Sequence, residues 1–411
     1  LTSIHIKKII KDTGWVMVLN VFNYSSAFLI AVLITRFLGI TQLGVYSFAV
    51  ASSMLLYVIS DFGLTTLLVR KIGENKSLAH GWIVNANKAK LFLGTTVLLI
   101  LFAAGLFFNI KQFNMPFKLA ALAVLPRLVQ TSYESSIRVF GYQKYPTIIR
   151  SINSLVQVFS ALFLLMYGFG LIHIFLIILL LEITTAFVFR QKNNFLIESA
   201  ATVQPVLSVS IFALFKEASV LFLNNSLAFS IPRIHIILLE YITGTASVGI
   251  YSSASRFVSG VGLLSGSLHN ALYPFLSSFQ QKEEEARNIA RKLLIYSLLA
   301  GALISVLPFF LSGILIDITF KIEEAKAVLK ILSFSVIPVL VYTVLQSYLI
   351  TFNREKIILG TMLPVWIFNL VFCLLMLNFY GYIGCAVTAL AVEWVVMLVL
   401  LVYFIYIIKT C

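Results

Sequence analysis

Of 411 residues, 60% are hydrophobic and only 11% are charged, with a net charge of +14 and three cysteines. A soluble domain carries about 25% charged residues, so these proportions and a mean hydropathy of +1.00 exclude a water-soluble globule and make lipid the solvent. The cationic excess does not read as a nucleic-acid patch, because lysine and arginine collect in short loops between apolar runs, and Cys373, Cys385 and Cys411 have neither metal-ligand spacing nor a disulfide framework.

The basic N-terminal stretch LTSIHIKKIIKD leads into a long apolar run without a small-residue cleavage site, which predicts a retained first span and not a removed signal peptide. A helix needs about 20 apolar residues to cross the hydrocarbon. On that measure spans are predicted at 14–35, 45–68, 90–108, 117–138, 147–168 and 171–189. After the polar QKNNFLIESAATVQP, six more follow at 211–239, 249–276, 293–316, 328–352, 357–378 and 382–407. Twelve spans put both termini on one side. Loops of that side hold Lys7, Lys8, Lys11, Arg70, Lys71, Lys76, Arg138, Lys144, Arg150, Arg190 and Lys192, then Lys282, Arg287, Arg291, Lys292, Arg354, Lys356 and Lys409. The opposite loops hold fewer, Lys111, Lys118, Lys321 and Lys326. Both termini are therefore predicted to be cytoplasmic.

An ionisable group at membrane depth is costly unless it faces protein or water, so each one marks a candidate. On the first span Asn20, Asn23, Ala27, Ala31 and Thr35 form a polar-to-small stripe, suited either to substrate contact or to close helix packing. Arg36 sits at that span's outer end. Asp61 lies toward the cytoplasmic end of the second span, as a coupling-ion site or a helix cap. Arg127, Thr131, Glu134 and Arg138 are spaced to share one face of the fourth span. A guanidinium fork there suits a diphosphate, while Glu134 and Arg138 could equally form a structural i,i+4 pair. The seventh span carries Lys216, Glu217, Asn224, Asn225, Arg233 and His235, with Arg233 just after Pro232, a residue that frees a carbonyl and kinks helices. Arg256 lies near the outer end of the eighth. The substrate-binding candidates are thus Arg127, Glu134, Arg138, Lys216, Arg233, Arg256, Arg36, Asn20, Asn23 and Asn225. Glu182 and Glu393 are each the single acid of their span; with Asp61 they are the coupling-ion candidates. The stretch FQQKEEEARNIARKLL at 279–294 reads as a solvated helix between the eighth and ninth spans.

The chain repeats itself. Residues 37–52, FLGITQLGVYSFAVAS, match 241–256, YITGTASVGIYSSASR, at a shift of 205, pairing Gly39 with Gly244, Gly44 with Gly249 and Tyr46 with Tyr251. AVLPRLVQTSYESSIRVFGYQK at 123–144 matches SVIPVLVYTVLQSYLITFNREK at 335–356 at a shift of 212. At a shift of 211, Gly170 meets Gly381 and Glu182 meets Glu393. These matches predict two six-helix bundles, residues 1–195 and 196–411. An even number of spans per half starts both halves on the same side. Their predicted relation is a pseudo-two-fold axis along the membrane normal, the arrangement used for alternating access.

ITRFLGITQLGVYSFAVA, followed by SDFGLTTLLVRKIGENK at 60–76, resembles the opening two helices of Wzx-type polysaccharide flippases of the multidrug/oligosaccharidyl-lipid/polysaccharide exporter superfamily; YGYIGCAVTALAVEW at 380–394 resembles that family's last helix. The resemblance spans the whole length and implies an all-α polytopic membrane protein of about twelve transmembrane helices, in the bacterial inner membrane. It implies a secondary-active flippase that carries undecaprenyl-diphosphate-linked oligosaccharide to the periplasmic leaflet for O-antigen or other surface polysaccharide. The partners it implies are the bilayer, that lipid-linked sugar, a polysaccharide polymerase and a chain-length regulator. The second half departs from the DFGL pattern with LLSGSLHNALYPF, so Asp61 is not duplicated.

No GxxxxGK[ST] loop is present for nucleotide hydrolysis, and no HExxH, GxSxG or paired-cysteine cluster for catalysis. No cofactor, metal, nucleotide or nucleic acid is expected; a proton or sodium gradient is the candidate drive. Two other readings stay open. A cation-coupled multidrug exporter of the same superfamily would favour an acidic cavity. A membrane-embedded polysaccharide polymerase or ligase would need a large extramembrane loop, and every loop here is short.

Overall fold

The computed structural model describes residues 3–108, 112–199, 210–279 and 282–410, and all regular structure in them is helical. Lys111 and Cys411 lie outside the described residues. In chain order the helices are α1 (Ser3–Leu38), α2 (Ile40–Asp61), α3 (Leu64–Glu74), α4 (Ala79–Phe107), α5 (Met115–Leu122), α6 (Val124–Val139), α7 (Lys144–Met166) and α8 (Leu171–Ser199). Then come α9 (Ile211–Thr243), α10 (Thr245–Ser259), α11 (Val261–Ser277), α12 (Glu283–Phe310), α13 (Ser312–Thr319), α14 (Glu323–Ser333), α15 (Val336–Thr351) and α16 (Glu355–Thr410). Nine stretches among the described residues are long and apolar enough to cross a membrane. The last of them runs from Glu355 to Tyr406 and is broken at Gly381, so it makes two crossings. The α5–α6 and α10–α11 pairs, each broken into shorter pieces, complete the twelve segments expected from the sequence.

Some predicted boundaries move. The second span was expected over 45–68, but the helix begins at Ile40 and stops at Asp61, because Phe62 and Gly63 both take positive φ (48° and 74°) before α3 starts. Span starts set at the last charge were late: α4 begins at Ala79 and α7 at Lys144. The mixed-charge stretch 279–294 is no separate helix. From Glu283 it is the first turns of α12 itself, with three glutamates in the first turn, where the helix dipole favours them.

Helix ends fall at the same repeat positions. Gly39 (φ 88°) separates α1 from α2, and Gly244 (φ 91°), 205 residues on, separates α9 from α10. Only glycine takes this left-handed turn without a Cβ penalty, which explains the first glycine of each signature. At a shift of 212, α6 and α15 start and end at equivalent residues, Val124/Val336 and Val139/Thr351.

The chain forms two compact units. Unit 1 contains Leu1–Phe37 and Phe48–Arg233, and its hub is α6, which packs against α3, α4, α7 and α8. Unit 2 contains Leu38–Ser47 and Ile234–Cys411, and its hub is α15, packed against α11, α12 and α16. The repeat-equivalent helix is thus the centre of each unit. Within α9 the chain passes from unit 1 to unit 2 between Arg233 and Ile234, one residue beyond Pro232.

Within unit 2 the two signature copies pack on one another reciprocally. A Cβ on Gly44 would overlap the Thr245 carbonyl, and a Cβ on Gly249 would overlap the Ile40 carbonyl. Thr245 and Ile40 are the residues that follow the first glycine of each copy. The second glycine therefore recurs because each helix must accept the backbone of the other's first turn.

Candidate functional site

Unit 1 holds a chain of buried charge around α6. The break at Phe62–Gly63 turns Asp61 back over the start of α3, where its carboxylate accepts from the Thr65 backbone N–H (3.3 Å) and hydroxyl. This is a capping geometry, supplied from two residues before Gly63 because glycine has no side chain to offer. The same carboxylate meets the Lys90 ammonium at 2.7 Å. Lys90 is wholly buried, and its other donors reach the hydroxyls of Thr65 (2.7 Å) and Thr131 (3.5 Å). Tyr57 adds hydrogen bonds to Thr65 and Thr131. Three donors on the ammonium find three acceptors, the condition for keeping a charge out of water.

Toward one end of α6, Arg127 binds Glu182 of α8 through both Nε (3.0 Å) and Nη2. Toward the other end, Glu134 serves two arginines. Its Oε1 accepts from Arg138 Nε (3.1 Å) and Nη2 (2.8 Å), and its Oε2 accepts from Arg150 Nε (3.0 Å) and Nη2 on α7. Arg150 is also attracted by Glu182, which links the two groups. Three guanidiniums against two carboxylates leave one net positive charge.

The remaining predicted residues stand apart from this network. Asn20 and Arg36 are exposed on α1. Asn23 is half-buried, and its side-chain oxygen has no hydrogen-bond partner among the described residues. Lys216 is exposed, whereas its neighbour Glu217 pairs with Lys71 at 2.7 Å. Asn225 reaches the Thr66 hydroxyl at 3.3 Å. Arg233 donates to the Phe229 carbonyl (3.0 Å), lies over that ring and reaches the Met54 sulfur (3.4 Å). In unit 2, Arg256 lies over the Tyr46 ring, Glu393 is hydrogen-bonded to Tyr342, and His235 bonds through Nε2 to Asn369, both buried. Cys373 and Cys385 are buried and unbridged.

Sequence reading missed Lys90 and Arg150 as members of a site. Lys90 is the first residue of the predicted span 90–108, and Arg150, three residues into 147–168, was counted with the loop cations. One signal was available for Lys90: Lys88 and Lys90 lie on opposite sides of any helix that contains both, so a helix begun earlier has to bury one of them. Lys88 is exposed and Lys90 is not.

A family model described as "Polysaccharide biosynthesis protein" matches residues 9–280, and a second, MatE, matches residues 221–375. Among curated proteins, "Capsular polysaccharide biosynthesis protein CapF" of Staphylococcus aureus is 24% identical over 415 aligned positions, covering 95% of this chain and 97% of that protein. Among solved structures, "Lipid II flippase MurJ, inward closed conformation" is similar with a TM-score of 0.73 at 15% identity, covering 94% of this chain and 87% of that one. An inward-facing multidrug resistance MATE family transporter of the MOP superfamily is similar with a TM-score of 0.70 at 14% identity, over 95% of both chains. These likenesses carry the two-lobed, twelve-helix membrane fold, and they bear out the resemblance carried by the repeated glycine signature.

Proposed function

Starting from the chain's membership in the polysaccharide biosynthesis protein family, which its match across residues 9–280 establishes, we propose that it flips undecaprenyl-diphosphate-linked oligosaccharide from the cytoplasmic to the periplasmic leaflet of a bacterial inner membrane. The observation that carries this reading is the charge network around α6: two buried carboxylates that hold three arginines, two of them more than a third exposed, with basic groups in excess. A structural ion pair needs equal numbers of each sign. An excess of guanidinium is suited to an anionic cargo that brings its own negative charge. The polyprenyl tail stays in lipid while the diphosphate and sugars cross by alternating access. Bound contacts replace hydration at each stage, so neither end state can hold the cargo much more tightly than the other. Both termini are cytoplasmic on this reading, and the released units feed a polymerase and its chain-length regulator.

Complementation tests it. In a strain lacking its own flippase the wild-type chain restores surface polysaccharide, and Arg127→Ala and Arg233→Ala abolish it while inserting normally. Wild-type polymer levels in both variants would remove these residues from the site. Flipping in vesicles under an imposed proton or sodium gradient tests coupling through Glu393, Glu182 or Asp61; indifference to both gradients eliminates all three.

The MatE match across 221–375 favours a second reading, cation-coupled drug export. Under it, deletion sensitises cells to cationic dyes and leaves surface polysaccharide intact, the reverse of the outcome expected here.

A further inference from the structure

Arg127 and Glu182 are matched one to one, but Glu134 is shared. Its carboxylate is buried, with 12% of the side chain exposed, while the two arginines on it remain 36% and 37% exposed. Each spends Nε–H and one Nη2–H on a different carboxylate oxygen. Two of five donors are thereby engaged on each guanidinium, and neither Nη1 has a partner among the described residues. Glu134 thus orients two forks from below and neutralises only one of them.

The geometry points to Arg138 and Arg150 as a two-guanidinium clamp for a phosphate-ester anion, held open by Glu134. A phosphate has enough acceptor oxygens to take both open edges, and planar forks bind such oxygens two at a time. Arg150, on α7, is the member that the spacing on α6 does not reveal. Eleven residues, about 16 Å of helix, separate Arg138 from Arg127, and the attraction between Arg150 and Glu182 is what links the clamp to the Arg127–Glu182 pair. The lipid-linked cargo is one source of such a phosphate, and an anionic phospholipid headgroup is the other. Only the choice of cargo rests on the functional reading above; the clamp's chemistry does not.

The test measures binding of farnesyl diphosphate, competed by inorganic pyrophosphate, to the full-length protein in nanodiscs. Arg150→Gln, which leaves the Arg138–Glu134 pair in place, is expected to weaken binding about tenfold or more, the scale of a lost charge-assisted bidentate contact. Arg70→Gln, on an exposed arginine paired with Glu74, is expected to change nothing. Glu134→Gln separates clamp from charge: it makes the site more positive but releases both forks. Weaker binding supports the clamp, and equal or tighter binding overturns it. Wild-type affinity in Arg150→Gln, with unaltered size-exclusion behaviour, overturns the site altogether. Replacing phosphatidylcholine by phosphatidylglycerol distinguishes the sources. Competition by the anionic lipid that disappears in Arg150→Gln assigns the clamp to headgroups, and no competition assigns it to diphosphate cargo. If diphosphate binds through Arg150 while reconstituted protein flips no lipid-linked sugar, the site stands and the functional reading falls.

Discussion

Lysine 90 offers the sharpest test of how unit 1 is held together. Its ammonium has no exposure, and its single ionic partner among the described residues is Asp61 at 2.7 Å. Lys90→Met keeps the chain length and the apolar stem, but it strands a carboxylate that is itself 5% exposed. Removing one partner of a buried ion pair costs about 3–5 kcal/mol. The Thr65 N–H and hydroxyl still accompany Asp61, so the lower half of that range is expected. At about 2–4 °C per kcal/mol for a domain of some 150–250 residues, the midpoint falls by roughly 6–16 °C. The double variant Asp61→Asn/Lys90→Met removes both charges, and the asparagine oxygen can still cap α3. A neutral pair of similar volume is often as stable as the ions it replaces. The double variant should therefore recover all but about 1 kcal/mol, the worth of a weakened cap. Thermal unfolding of the detergent-purified protein, in a complete two-residue cycle, reads this directly. A Lys90→Met protein within about 1 kcal/mol of wild type, or a double variant as unstable as the sum of the singles, would refute the assignment of Lys90 and Asp61 as one electrostatic unit.

Other outcomes follow from the same contacts. Gly44→Ala and Gly249→Ala each place a methyl group against a backbone carbonyl that cannot rotate away; each should cost about 1–3 kcal/mol as overpacking, and Gly262→Ala, with open space around it, should cost almost nothing in the same melt. Glu182→Gln takes the counter-charge from Arg127, whereas Glu393→Gln leaves Tyr342 a neutral acceptor, so the first should lose roughly 1–2 kcal/mol more than the second; the reverse order by thermal shift would contradict the pairing. Arg127→Lys keeps the charge but loses the two-nitrogen contact to Glu182, and polysaccharide restored to the wild-type level by that variant would mean that charge alone suffices there.

Spacing alone made the helical segments legible, because each is a long apolar run, and the repeat even placed their breaks: Gly39 and Gly244 turn the chain at matching points. The stripe on α6 was legible for the same reason, since its periodicity is local. Its partners were not. Glu134 and Arg138 are four residues apart and could be paired on paper, but Lys90 binds residues 25 and 41 positions away, and Arg127 binds one 55 positions away. Hydropathy also misled at helix starts. A lysine or arginine was read as the edge of a span, yet a helix can carry a cation two or three turns inside, once the fold brings a carboxylate to it.

Comparison of the hubs shows what the duplicated fold did with that freedom. At a shift of 212, Arg127, Glu134 and Arg138 of α6 become Val339, Gln346 and Ile350 of α15, while Thr131 and Ser135 are kept as Thr343 and Ser347. The kept hydroxyls bond back to their own helix: Ser135 to the Thr131 carbonyl, Thr343 to Val339 and Ser347 to Thr343. They also reach other helices: Thr131 accepts from the Lys90 ammonium of α4, and Thr343 and Ser347 meet Ser265 and His269 of α11. The substituted positions are the ones that carry charge in unit 1, paired with Glu182, Arg150 or, within α6, each other. Glu182 has Arg127, and its repeat equivalent Glu393 has the Tyr342 hydroxyl of α15 instead. A neutral hub at that position leaves unit 2 without the counter-charge that unit 1 keeps beside its carboxylate.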